Sequence, residues 1–206
     1  MSILPIQGLG VEVYGENELV ARLMTGEAHY RACISIGNPR PLLRAPSPGE
    51  ALHPLIKGSF DRILRLSFYD LEEVVELPDR TRLSRIPSHR DALRVLRFYE
   101  ATKGQTDGWT VHCWAGISRS TAVALALLYR ITGDEAEAAR RLVAIRPEAM
   151  PNHRLVRAFD ALLGSNLSGV LEAVYRDRQD ALREELDREL EELDEAPEEP
   201  SGDGRA

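Results

Sequence analysis

The chemistry-bearing feature of this chain is one short segment, Val111-His112-Cys113-Trp114-Ala115-Gly116-Ile117-Ser118-Arg119-Ser120-Thr121. Five residues separate a cysteine from an arginine, and a hydroxyl follows the arginine. A phosphate dianion needs several donors converging on it. The backbone N–H groups of a short loop that winds into a helix N-terminus supply them, together with the positive end of the helix dipole. Gly116 permits the backbone conformation such a cradle requires. Arg119 stands where its fork can clasp two phosphate oxygens, which a lysine cannot do. The same field acts on sulfur: a cysteine pKa of about 8.5 falls to roughly 3.5–7.5 beside a helix N-terminus and a cation. The expectation is an ionised Cys113 aimed at an electrophilic phosphorus.

The elements that must position this loop are legible on both sides of it. Residues 109–112 read as a strand ending at Cys113, and 119–131 as a strongly apolar helix ended by Gly133. Upstream, 11–14, 32–36 and 62–68 read as strands, and 17–24 as a helix closed by Gly26. Residues 39–54 hold five prolines and 71–87 are charged and proline-broken, so both are predicted loops. Ser88, with Asp91 three positions on, opens a helix through Ala101. Downstream, Asp134 with Glu137 forms a predicted capping box for a helix through Ile145. Asn152 opens a helix through Leu163 that Gly164 closes, and Ser168 opens the last helix, with an apolar stripe at Leu171, Val174, Leu182, Leu186, Leu190 and Leu193. Strands alternating with helices predict an α/β fold: a central, mostly parallel sheet of about four to five strands flanked by helices, with the phosphate-binding loop between a strand and a helix. A long acidic C-terminal helix follows.

The segment from His112-Cys113 to Arg119-Ser120 resembles the His-Cys-x5-Arg-Ser/Thr signature of the protein tyrosine phosphatase superfamily, in its compact dual-specificity-like branch. Residues 114–122 together with Ala149-Met150-Pro151-Asn152 look like a bacterial group of predicted tyrosine phosphatases. The resemblance implies a phosphomonoester hydrolase, protein-tyrosine or dual-specificity, working through a phosphocysteine intermediate without metal or cofactor. It assigns the nucleophile to Cys113 and the phosphate clasp to Arg119. Ser120 takes the role of the hydroxyl that donates to the sulfur. His112, Trp114, Ala115, Gly116, Ile117 and Ser118 line the substrate site with Arg119, and His112 supports loop geometry rather than shuttling protons. The family's general acid is an aspartate on a loop. Asp70, just past the predicted strand 62–68, fits that place, and Asp79 is its rival. Two other classes stay open: a rhodanese-like sulfurtransferase, which also holds a cysteine before a helix, and a phosphate-binding module without catalysis.

Composition bounds the rest. The chain has 206 residues, 43% hydrophobic and 29% charged, with net charge −7. Residues 177–206 carry 13 acidic and 4 basic side chains, a net of −9, which leaves about +2 for residues 1–176. The expected division is a catalytic domain at 1–176 and an acidic helical extension with a disordered tail at 177–206. An acidic tail repels nucleic acid, so the expected partner is a phosphorylated protein or small phosphomonoester. The leucine stripe of the last helix either packs on the body or pairs with a partner helix. Two cysteines, Cys33 and Cys113, suit a reducing compartment better than a disulfide framework. Cys33 reads as a core residue. With no signal-peptide pattern at residues 1–10 and no apolar run long enough for a bilayer, a cytoplasmic protein is expected. No metal-ligand spacing occurs.

Overall fold

A computed structural model describes residues 9–39, 51–78, 80 and 82–194, without the side chains of 181, 182 and 184–194. Residues 1–8, the chain from residue 195 on with the expected disordered tail, most of the proline-rich segment and Asp79 lie outside the described residues, as do the side chains of the leucine stripe from Leu182 onward.

The elements run β1 (Gly10–Gly15), α1 (Glu16–Thr25), β2 (Ala32–Gly37), α2 (Pro54–Ser59), β3 (Arg62–Ser67), β4 (Val75–Glu76), β5 (Arg82–Leu83), α3 (His89–Thr102), β6 (Gly108–Cys113), α4 (Arg119–Thr132), α5 (Glu135–Ile145), α6 (His153–Leu163) and α7 (Leu167–Asp194). Four strands form one parallel sheet in the order β1-β6-β2-β3, flanked by helices. Every residue of the two central strands, β2 and β6, is buried, which is why both read as unbroken apolar-rich runs. The edge strand β1 instead alternates, with Val11 and Val13 inward. Cys33 packs with Leu19 of α1, Ile56 of α2 and Phe60 in a core cluster, the place its apolar surroundings predicted.

α4 is the central helix. Every residue from Arg119 to Leu128 is buried, and the helix packs on β1, β6, α5 and α6. A helix apolar on all sides is a core helix, and its start is therefore held rigidly under the sheet's C-terminal edge. That edge is where Gly15 and Cys113 stand side by side and Gly37 stands beside Ser67. In open α/β sheets this crevice is the place where ligands bind.

Local structure departs from expectation in four places. His53 accepts the Leu55 N–H at 3.2 Å and caps α2, a helix the proline count had hidden. β4 and β5 pair as a short antiparallel hairpin inside the predicted 71–87 loop. Asp134 caps α5 by accepting from Glu137 N at 2.7 Å, but the Glu137 carboxylate turns to Arg140 and Arg141 instead of completing the box. The start of α7 is capped by Asp160, whose carboxylate accepts from Leu167 N and Ser168 N, so Ser168 lies inside the helix.

The chain divides into two compact units, Met1–Leu171 and Glu172–Ala206. Among the described residues no helix is long and apolar enough to cross a membrane.

Candidate active site

β6 carries Cys113 to the sheet edge, and five residues later the chain enters α4 at Arg119. Cys113 is 1% exposed. Its Sγ lies 3.2 Å from Ser120 Oγ and accepts the Gly116 N–H at 3.3 Å. Gly116 has φ of +77°, and an added Cβ would stand 2.4 Å from Gly15 N and 2.6 Å from the Tyr14 carbonyl carbon. The loop is thus pressed against the turn from β1 into α1, where Glu16 N donates to Trp114 O at 3.1 Å. Arg146 fastens the same corner: it donates to Glu18 at 2.8 Å and reaches Ala115 O at 3.5 Å.

The far side of the loop is braced by the α5–α6 connection. Met150 N donates to Ile117 O at 2.9 Å and Asn152 N to Ser118 O at 3.2 Å. Asn152 also caps α6, accepting from Leu155 N, and its Nδ2 donates to Asp70 Oδ1 at 3.0 Å. The Asn152 cap was legible from sequence, but its reach to Asp70 was not.

Asp70 comes to the loop. Ser118 Oγ donates to Asp70 Oδ1 at 2.7 Å, and Asp70 Oδ2 lies 3.7 Å from Arg119 Nε. Both donors fall on Oδ1, which leaves Oδ2 on the arginine side. The segment holding Asp70 is itself tied down, with Tyr69 N on Arg85 O at 2.8 Å and Arg154 on Glu72 O at 3.0 Å. Arg85, whose carbonyl holds Tyr69 N, itself forms a two-pronged pair with Asp91.

Arg119 is 4% exposed. One of its terminal nitrogens, Nη1, donates to Asn38 Oδ1 at 2.8 Å and to Phe68 O at 3.0 Å. Its Nε has no hydrogen-bond partner among the described residues. Trp114 is 44% and Met150 72% exposed, so two large apolar side chains border the loop from residues bonded to it. Among the described residues no cluster of three or more His, Cys, Asp or Glu is arranged to hold a metal ion.

His112 is fully buried in a row across the sheet, paired with Tyr14 on β1 and Ser35 on β2, which pairs in turn with Arg65 on β3. Burial, reinforced by the Arg65 charge, pushes its pKa down to about 4, so the ring is neutral at physiological pH. Neither ring nitrogen has a hydrogen-bond partner among the described residues. The sign of the consequence follows from linkage. Between the unfolded value of about 6.5 and the folded one, the unfolded chain binds a proton that the native chain refuses, so stability falls on acidification. The expected loss at about pH 5 is on the order of 2 kcal/mol. Urea melts at about pH 7.5 and about pH 5 should differ less for His112→Phe than for the wild type. An unchanged difference would show that another group causes the acid lability.

No family model and no curated protein matches the chain. Solved structures do. DUSP15 superposes with a TM-score of 0.51 over 85% of this chain and 94% of that one, at 19% identity. The protein has the dual-specificity phosphatase fold. Human DUSP28 aligns with a TM-score of 0.49 at 19% identity, covering 81% of this chain and 94% of that chain. PTPMT1 aligns at 0.48 and 17%, covering 84% and 98%.

Proposed function

We propose that this chain is a cysteine-dependent phosphomonoester hydrolase that prefers aromatic phosphate esters such as phosphotyrosine. One observation carries the reading. A buried sulfur that accepts an amide hydrogen bond and lies within reach of a hydroxyl stands at a helix N-terminus, while a buried guanidinium beside it keeps an Nε–H with no hydrogen-bond partner among the described residues. That donor set fits a tetrahedral oxyanion and has no use in an apolar core.

In the first step the Cys113 thiolate attacks phosphorus. The S–P bond forms, the bond from phosphorus to the ester oxygen breaks, and that oxygen takes a proton from Asp70. In the second step water attacks phosphorus and gives its proton to the Asp70 carboxylate. The S–P bond breaks, the thiolate departs with the Ser120 hydroxyl donating to it, and inorganic phosphate is released. Two moderate barriers replace one high one. Arg119 and the loop amides hold the equatorial oxygens throughout. With Ser118 and Asn152 both on Oδ1, the other oxygen of Asp70 is the one available to carry the transferred proton. Substrate preference follows from the rim: Trp114 and Met150 offer apolar surface, and residues 114–118 contain no lysine or arginine to recognise further phosphates.

The test is release of phosphate from a phosphotyrosyl peptide and from p-nitrophenyl phosphate. General acid catalysis contributes about 10²–10⁴-fold, so Asp70→Asn should lower kcat on the peptide by at least about 10²-fold. The loss should be smaller on p-nitrophenyl phosphate, whose leaving group needs less protonation. Asp79→Asn should stay near wild type. A larger loss in Asp79→Asn would transfer the role, and sulfur transfer from thiosulfate in place of phosphate release would overturn the hydrolase reading.

A further inference from the structure

We infer that Asn38 is a positioning residue for Arg119: the tips of β2 and β3 form a two-point clamp that decides which edge of the guanidinium is presented to phosphate. The inference rests on the phosphatase reading of the loop. An arginine has five N–H donors in a fixed plane, two on each terminal nitrogen and one on Nε. Asn38 Oδ1 at 2.8 Å and Phe68 O at 3.0 Å both accept from Nη1, a nitrogen with two hydrogens to give. With that corner held, the opposite edge, Nε and Nη2, is the fork left for a bidentate oxyanion. Nε has no hydrogen-bond partner among the described residues although the side chain is buried. Asp70 Oδ2 at 3.7 Å lies beyond hydrogen-bond reach of it.

The spacing of the two acceptors is built into the sheet. Asn38 is the first residue after β2 and Phe68 the first after β3, and Phe68 N donates to Gly37 O at 3.1 Å, which ties the strand tips together. Pro39 restricts the backbone of Asn38 to extended conformations. Phe68 contributes a main-chain carbonyl that no substitution removes, so the Asn38 side chain is the half of the clamp that mutation can test. Without it the guanidinium pivots on a single hydrogen bond and its free edge loses aim.

The experiment is a double-mutant cycle. Asn38→Ala should lower kcat/KM on p-nitrophenyl phosphate by about 10–100-fold and weaken vanadate inhibition by a similar factor. Asn38→Asp, which retains the acceptor oxygen, should stay within about 5-fold of wild type. In an Arg119→Lys background, where no fork remains to be aimed, Asn38→Ala should add less than about 2-fold. If Asn38→Ala does not fold, Asn38→Ser, with a side chain too short to reach Nη1, carries the same comparison. An equal loss in both backgrounds, or no loss at all, overturns the clamp. Should the wild type hydrolyse no phosphate ester, the clamp is read from calorimetric titration of tungstate into Cys113→Ser with and without Asn38→Ala. Weaker binding in the double variant supports it and equal binding overturns it.

Discussion

Replacing Cys113 with serine should lower kcat for phosphate ester hydrolysis by at least about 10⁴-fold, a loss of the size seen when a covalent nucleophile is removed. The chemistry sets the scale. A serine hydroxyl lacks both the ready ionisation and the intrinsic nucleophilicity of a thiol, and among the described residues no basic side chain is hydrogen-bonded to the Cys113 sulfur to compensate. The groups around the sulfur, Gly116 N–H at 3.3 Å and Ser120 Oγ at 3.2 Å, suit an electron-rich sulfur and do not abstract a proton. On the proposed reading the phosphate donors are backbone amides and Arg119, which the exchange leaves in place. Vanadate or tungstate should therefore still bind to Cys113→Ser, and the variant should retain phosphotyrosyl substrates it does not turn over. Rapid-quench mass spectrometry of the wild type should find one phosphoryl group on Cys113. Hydrolysis by Cys113→Ser at the wild-type rate would eliminate the covalent route.

The second large effect is expected at Gly116, for a steric reason. At φ of +77° any side chain is strained, and a Cβ here would lie 2.4 Å from Gly15 N and 2.6 Å from the Tyr14 carbonyl carbon. Those are main-chain atoms of β1, fixed by pairing with β6, so the loop must move rather than its neighbour. Displacing it swings the Gly116 N–H off the sulfur and shifts the loop amides that the proposed function uses as donors. Misplacement by about 1 Å costs on the order of 10²-fold and loss of an oxyanion donor a further 10²–10³. Gly116→Ala should thus reduce kcat/KM by at least about 10³-fold. The strain and overpacking should also cost about 2–4 kcal/mol of stability, read as a melting temperature lowered by roughly 5–15 °C. Gly116→Ala with wild-type activity would mean that the approach of the loop to β1 does not shape the cradle.

Much of the site was legible in the sequence because its chemistry is local. Cys113, Gly116, Arg119 and Ser120 fall within eight consecutive residues, and the strand before and the helix after them announce themselves by apolar pattern and by Gly133. Asp70 was reachable too, since it follows β3 directly and β3 ends at the same sheet edge. The α2 helix and the β4–β5 hairpin were hidden, the first behind prolines and the second by its two-residue strands, which are too short to show a period.

By itself, then, the amino-acid sequence determined the type of fold, the order of its main strands and helices, and the loop residues on which the proposed function rests, because each depends on residues adjacent along the chain. Only the tertiary structure decided what surrounds them. Asn38 and the Phe68 carbonyl meet Arg119 across 81 and 51 positions, and Asn152 meets Asp70 across 82. Gly15 receives Gly116 because β1 and β6 are neighbours in the sheet. Such meetings follow from strand order and helix packing, which bring remote residues within a few ångströms and leave no periodic or compositional trace at either end.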